Sequence, residues 1–145
     1  MEFIVKDCPM ISQYQYLSSN KRYYSKRGKD FIKKFQYIIR KQMEEKKYKM
    51  LESENIECEV ICYFDNKRKN DCDNFVKPVL DNLEKCNVFK DDRYITRLII
   101  EKKYQKPLDI CAIIKIRDRT SKTIVTEIIP KLPENFNFEE LKSCH

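Results

Sequence analysis

The sequence predicts a single small α+β domain, a mixed β-sheet flanked by two main helices. Three observations carry this: a length of 145 residues, two stretches with helical apolar spacing, and several β-rich apolar runs between and after them. A domain of this size can bury roughly two-thirds of its unfolded surface. Apolar residues at 41%, with nine Tyr and eight Phe, supply a core despite 37% charged content. Disorder of the whole chain is therefore excluded.

Taken in order, Glu2 to Lys6 reads as a short strand. The polar and aromatic stretch through Tyr14, Tyr16, Ser18, Asn20, Tyr23 and Tyr24 reads as a loop. From about Asp30 to Met50, Phe31, Phe35, Ile38, Ile39 and Met43 recur at helical spacing with lysines opposite, and Asp30 is the expected N-cap. Ile56 to Phe64 alternates, with Ile56, Cys58, Val60 and Cys62 on one face, and is a strand. A second helix spans roughly Asp73 to Cys86, its apolar face made by Phe75, Val76, Val79, Leu80 and Leu83. Pro78 lacks a donor and disfavours helical geometry at Lys77, so the helix either starts near Pro78 or kinks in its first turn. Tyr94 to Tyr104 and Leu108 to Arg117 read as two strands of a hairpin joined across Gln105 to Pro107. Residues 118–145 form a C-terminal extension of the single domain, with a possible strand at Thr123 to Ile129.

Charge and rare residues narrow the chemistry. The net charge is +7, and Lys21 to Lys49 alone holds 12 Lys or Arg against three acids, as expected of a face that meets a polyanion. A solvated lysine-rich helix would look similar. The one glycine, Gly28, cannot build a phosphate-cradling or dinucleotide-binding loop. The one histidine, His145, sits at the terminus, which disfavours His-based catalysis. Seven cysteines with no CxxC pair argue against a disulfide framework or zinc ribbon and for reduced thiols in a cytoplasmic protein. Cys58 and Cys62, about 13 Å apart on a strand, read as small buried apolar residues. No signal peptide and no membrane-spanning run are visible, so no membrane is expected as a partner.

Acidic residues bracket the second helix: Asp71 and Asp73 at its start, Asp91 and Asp92 in the turn after it. Spacing alone does not bring these ends together. If they met, their oxygens would suit Mg²⁺ or Mn²⁺, which accept phosphate oxygens at remaining positions and promote phosphodiester hydrolysis. Lys77, one turn after Asp73, could then balance transition-state charge. The plainer alternative is an N-cap at Asp73 and an exposed turn at Asp91 and Asp92. An EF-hand is excluded, because Val76 and Asn82 stand at its sixth and twelfth positions.

The run from Asn70 to Asp92 resembles the RusA family of Holliday junction resolvases, whose pattern is D-x-D-N-x-x-K-x-x-x-D-x-L, a short turn, then D-D. Asp71, Asp73, Asn74, Lys77, Asp81, Leu83, Asp91 and Asp92 match it; the segment around Ser19, Asn20, Tyr23 and Tyr24 is similar more weakly. The resemblance implies a RusA-like, dimeric fold in which Asp71, Asp73 and Asp92 bind the metal, with Asp91 a lesser participant and Lys77 assisting catalysis. It implies a homodimer that introduces paired nicks in branched DNA at a four-way junction, in recombination and repair. The contacts expected with DNA are Asn20, Lys21, Arg22, Tyr23, Lys26, Arg27, Lys33 and Asn74. Two departures stand out: Asn87 replaces the family's turn glycine, and the tail beyond Asp118 has no counterpart.

Two other readings compete. Asp92 with Glu101 and Lys103 mimics the D...ExK signature of restriction-like nucleases, though it leaves Asp71 and Asp73 without a role. A non-catalytic nucleic-acid-binding module would use the basic segment and stack bases on tyrosines, yet it gains nothing from aspartates facing a polyanion.

Overall fold

The computed structural model describes residues 1–11, 15–18, 21–65 and 72–120; for 15–18, 21, 22, 72 and 73 it describes the backbone. The elements run β1 (Glu2–Val5), β2 (Gln15–Ser18), β3 (Lys21–Tyr24), α1 (Lys26–Glu45), β4 (Ile56–Phe64), α2 (Cys72–Lys85), a 3-10 turn (Asp92–Tyr94), β5 (Ile95–Tyr104) and β6 (Ala112–Asp118). Four strands form a mixed sheet in the order β1-β6-β4-β5, and β2 and β3 form a separate two-stranded sheet. The α+β class with two main helices is thus observed.

The central strand is β4, and both its neighbours follow from its burial. Ile56, Cys58, Val60 and Cys62 are fully buried, as their alternation predicts. They join the core with Phe31, Phe35 and Ile39 of α1 and with Phe75, Val76, Val79 and Leu83 of α2. The opposite face is polar: Glu57 is buried between Arg97 at 3.1 Å and Arg117 at 2.9 Å, and Lys115 lies 3.2 Å from Glu59. These ion pairs link three adjacent strands, and both guanidinium groups remain over half exposed, so each contributes modestly.

Three expectations are corrected. First, Leu108 to Arg117 does not form a hairpin with β5. The strand starts later, at Ala112, and β4 lies between the two, paired parallel to β5 and antiparallel to β6. A strand as buried as β4 needs partners on both edges, and that requirement overrides adjacency in sequence. Second, the stretch from Tyr14 to Tyr24 contains strands β2 and β3, paired antiparallel with Tyr16 opposite Tyr23. Third, α1 begins before Asp30: Ser25 is its N-cap and its side chain accepts from the Gly28 N–H at 2.9 Å. The helix ends at Glu45, before Met50, where Lys47 takes a left-handed φ of 52°.

The second helix holds through Pro78, starting at Cys72. The Pro78 carbonyl accepts from the buried Asn82 side chain at 2.7 Å, and Asn82 in turn accepts from Gln36 of α1. At its far end Asn87 has φ 56°, with Asn87 N donating to Glu84 O and Val88 N to Leu83 O. This is a Schellman cap, and Asn is the residue after glycine that tolerates it best. The departure from the family's glycine is therefore conservative. Among the described residues, Cys8, Cys58, Cys62, Cys86 and Cys111 are buried and none is in a disulfide.

Candidate nuclease site

Strands β4 and β5 are parallel, so the chain between them must return across the sheet, and α2 makes that return. Its start is fixed at the C-terminal end of β4 by Phe75, whose ring meets Phe64 edge-on at 5.4 Å. Its end leads to the 3-10 turn, immediately before Ile95, which pairs with Ile56 at the opposite end of β4. Asp73 and Lys85 are 12 residues apart on one helix, about 18 Å. Asp73 and the Asp91–Asp92 turn therefore adjoin opposite ends of α2. Among the described residues no group of three or more metal-ligating side chains forms. Asp71 and Asn20 lie outside the described residues.

The residues that are described have distinct tasks. Asp91 caps the 3-10 turn: its carboxylate accepts from the Arg93 backbone N–H at 2.9 Å and Arg93 Nε at 3.0 Å. Those side-chain and then backbone hydrogen bonds hold its carboxyl below the usual carboxylate range. Asp92 follows as an exposed residue, and no hydrogen bond or ion pair among the described residues engages its carboxylate. In the structure Asp91 shapes the turn that presents Asp92.

Lys77 is exposed on α2 and lies 3.2 Å from Asp81 one turn later. Asp81 was a motif position without an assigned task in the sequence. Its i,i+4 spacing from Lys77 was the available signal. Asn74 sits in the first turn of α2 and is exposed.

The basic residues concentrate where a helix already favours anions. The first turn of α1 contains Lys26, Arg27 and Lys29 with no acidic residue, while its last turn ends in Glu44 and Glu45. Both ends oppose the helix dipole, an arrangement that costs stability and concentrates positive potential at the N-terminus. Lys33 is exposed further along α1 and Tyr23 is exposed at the end of β3. Lys21 and Arg22 lie on β3. Tyr24 has a structural contact, because Lys85 of α2 donates to its hydroxyl at 3.3 Å and covers its ring.

The restriction-like alternative loses its geometry within a subunit. Glu101 and Lys103 form an ion pair at 3.3 Å near the C-terminal end of β5. Asp92 precedes the other end, about 20 Å away along the strand.

The family model of the endodeoxyribonuclease RusA matches residues 8–117. The chain belongs to the RusA family. That places it among enzymes that cut DNA, and the match covers β2 to β6, including both ends of α2. A search among curated proteins finds no significant match. No described helix is long and apolar enough to cross a membrane.

Proposed function

We propose that this RusA-family protein is a divalent-metal-dependent endonuclease that resolves Holliday junctions or related branched DNA as a homodimer. The observation that carries this reading is the family match over residues 8–117, which contains the whole D-x-D-N-x-x-K pattern and the later D-D.

The donor set fits a hard cation. The only histidine is terminal, and burial pushes the Cys8 and Cys58 thiols up to about 12, so carboxylate oxygens are the available ligands. Asp71, Asp73 and Asp92 would hold Mg²⁺ or Mn²⁺, and such an ion when bound supplies Lewis acidity toward a phosphodiester and lowers the pKa of water. Asp91, tied to Arg93, orients the turn that carries Asp92. The Lys77 ammonium, one turn into α2 from Asp73, balances charge that builds on the phosphate as it is cut. Lys21, Arg22, Lys26, Arg27 and Lys33 hold the arms of the junction by their phosphates, with Asn20, Tyr23 and Asn74 beside them.

The test is incubation of purified protein with a synthetic four-way junction. Paired nicks with Mg²⁺ or Mn²⁺ and none with chelator are expected; binding without nicking under any metal would leave only a DNA-binding module.

A further inference from the structure

The turn that carries Asp91 and Asp92 is held on both sides by one short segment, residues 51–55, within the connection from α1 to β4. Before the turn, Leu51 N donates to Val88 O at 2.9 Å, and Leu51 forms a parallel bridge with Phe89. Val88 and Phe89 are fully buried, so the chain enters the turn from a fixed point. After the turn, the Thr96 hydroxyl donates to Asn55 Oδ1 and also lies 3.4 Å from Ile56 O.

Thr96 is also where the pairing of β4 with β5 slips. Ile56 pairs with Ile95 and Glu57 with Arg97, so Thr96 is an extra residue, a bulge, in an otherwise regular parallel register. A bulge leaves its extra residue outside the ladder, bends the strand and re-aims what lies beside it. Here the bent strand begins directly after the 3-10 turn that starts at Asp92. The Asn55 side chain gives the bulged Thr96 the partner that the ladder does not.

Asn55 is itself anchored to the sheet. Its N–H donates to Ser53 Oγ at 3.1 Å, and its carbonyl accepts from Arg119 N at 2.8 Å. Ser53 Oγ donates to Asp118 Oδ1 at 2.8 Å, and the same oxygen accepts from Thr120 N at 2.8 Å. The Thr120 side chain, then its N–H and the Ser53 hydroxyl, hold the Asp118 carboxyl below the usual carboxylate range, so these bonds are charge-assisted at neutral pH. The segment is thus tied to the end of β6, and its hold on the turn is a hold by the sheet.

We infer that Asn55 and Thr96 are positioning residues for Asp92: the bulge at Thr96, latched to Asn55, sets the direction in which the turn presents the Asp92 carboxylate. Asp92 is exposed on a turn of three residues, and packing alone does not fix a ligand there. Asp91 braces the turn from within through Arg93, whose side chain is exposed. The Asn55 latch supplies the remaining constraint, the orientation of the turn relative to β4. Hydrogen bonds one layer behind a metal ligand change affinity or activity by about 10- to 100-fold when removed.

This rests on the nuclease reading, and the experiment separates the two. Arg93 N donates to Asp91 Oδ1 and Tyr94 N to Asp91 O, so amide hydrogen exchange at these two positions, followed by NMR, reports the turn itself. Thr96→Val keeps the side-chain shape without the hydroxyl, and Asn55→Ala removes the acceptor. Both should speed exchange at Arg93 and Tyr94 on the order of tenfold while leaving Val60 and Ile61 in the centre of β4 unchanged, and Thr96→Ser should exchange like the wild type. Unchanged exchange at the turn, or equal acceleration throughout β4, overturns the proposal whether or not the protein cuts DNA. Titration with Mn²⁺ alone, read by electron paramagnetic resonance, tests the consequence: Thr96→Val should bind the ion about tenfold more weakly, with Thr96→Ser restored and four-way-junction binding unaltered. Wild-type Mn²⁺ affinity in Thr96→Val would overturn the link from the latch to Asp92. A wild type that binds no Mn²⁺ and cuts no junction would instead sink the nuclease reading, and the exchange result would still decide whether the latch holds the turn.

Discussion

The β1 edge is sealed by side chains from its own subunit, whereas no described element pairs with the outward edge of β5, beside which α2 separates Asp73 from the Asp91–Asp92 turn. The difference teaches that, among the described residues, only one edge of the sheet is finished. Gln42, a polar residue on a helix face, serves as a strand partner for Ile4, so β1 has no need of another chain. Nothing comparable among the described residues meets β5. Of the motif that reads as one cluster in sequence, Asp73 and the Asp91–Asp92 turn are divided by the parallel crossover, one at each end of α2.

The sharpest way to probe the open side is to compare the two neighbouring aspartates of the turn. Asp92→Asn should lower junction cleavage on the order of a thousandfold. Asp91→Asn, which loosens the turn through Arg93, should cost about ten- to a hundredfold. Equal losses in single-turnover rates would erase the distinction between a ligand and the residue that presents it. Lys77→Ala should fall near the milder value, while Asp81→Asn, which frees Lys77 from its i,i+4 partner, should cost less than tenfold.

The sealed side makes its own predictions. Gln42→Ala strips Ile4 of both partners and should destabilise the fold by about 1–3 kcal/mol in urea titration, with junction cleavage at low temperature unchanged. Stability should also fall as pH rises. The buried Cys8 and Cys58 thiols titrate near 12 in the fold against an ordinary 9.0, so between those values the folded state binds more protons. Denaturation midpoints should decline as pH rises above 9. The smallest effect is at the end of α1: Lys47→Gly relieves a left-handed φ of 52° and should add about 0.5–1 kcal/mol.

Much of the fold was legible from periodicity. The apolar faces of α1 and α2 and the buried alternation of β4 appear where Phe31, Phe35, Val79, Leu83, Cys58 and Val60 predict them. The partner of each strand was not legible, because Leu108 to Arg117 follows β5 directly and only the demand of β4 for two neighbours separates them. The hairpin of β2 and β3 was hidden by its polar and aromatic content. Ser25 was overlooked as a cap because Asp30 precedes the first strongly apolar residue of α1, while Gly28 marks the true first turn. The site's residues were readable as a motif, but their separation depends on the direction of β5, which no local pattern encodes.

The account turns on carboxylates at the start of α2 acting in cutting rather than in folding or in holding DNA. Asp73→Asn, assayed in parallel for binding to a four-way junction and for cleavage with Mg²⁺, measures this most directly. Retained binding, with product formation reduced on the order of a thousandfold, is the predicted result. Nicking at the wild-type rate by that variant would contradict it.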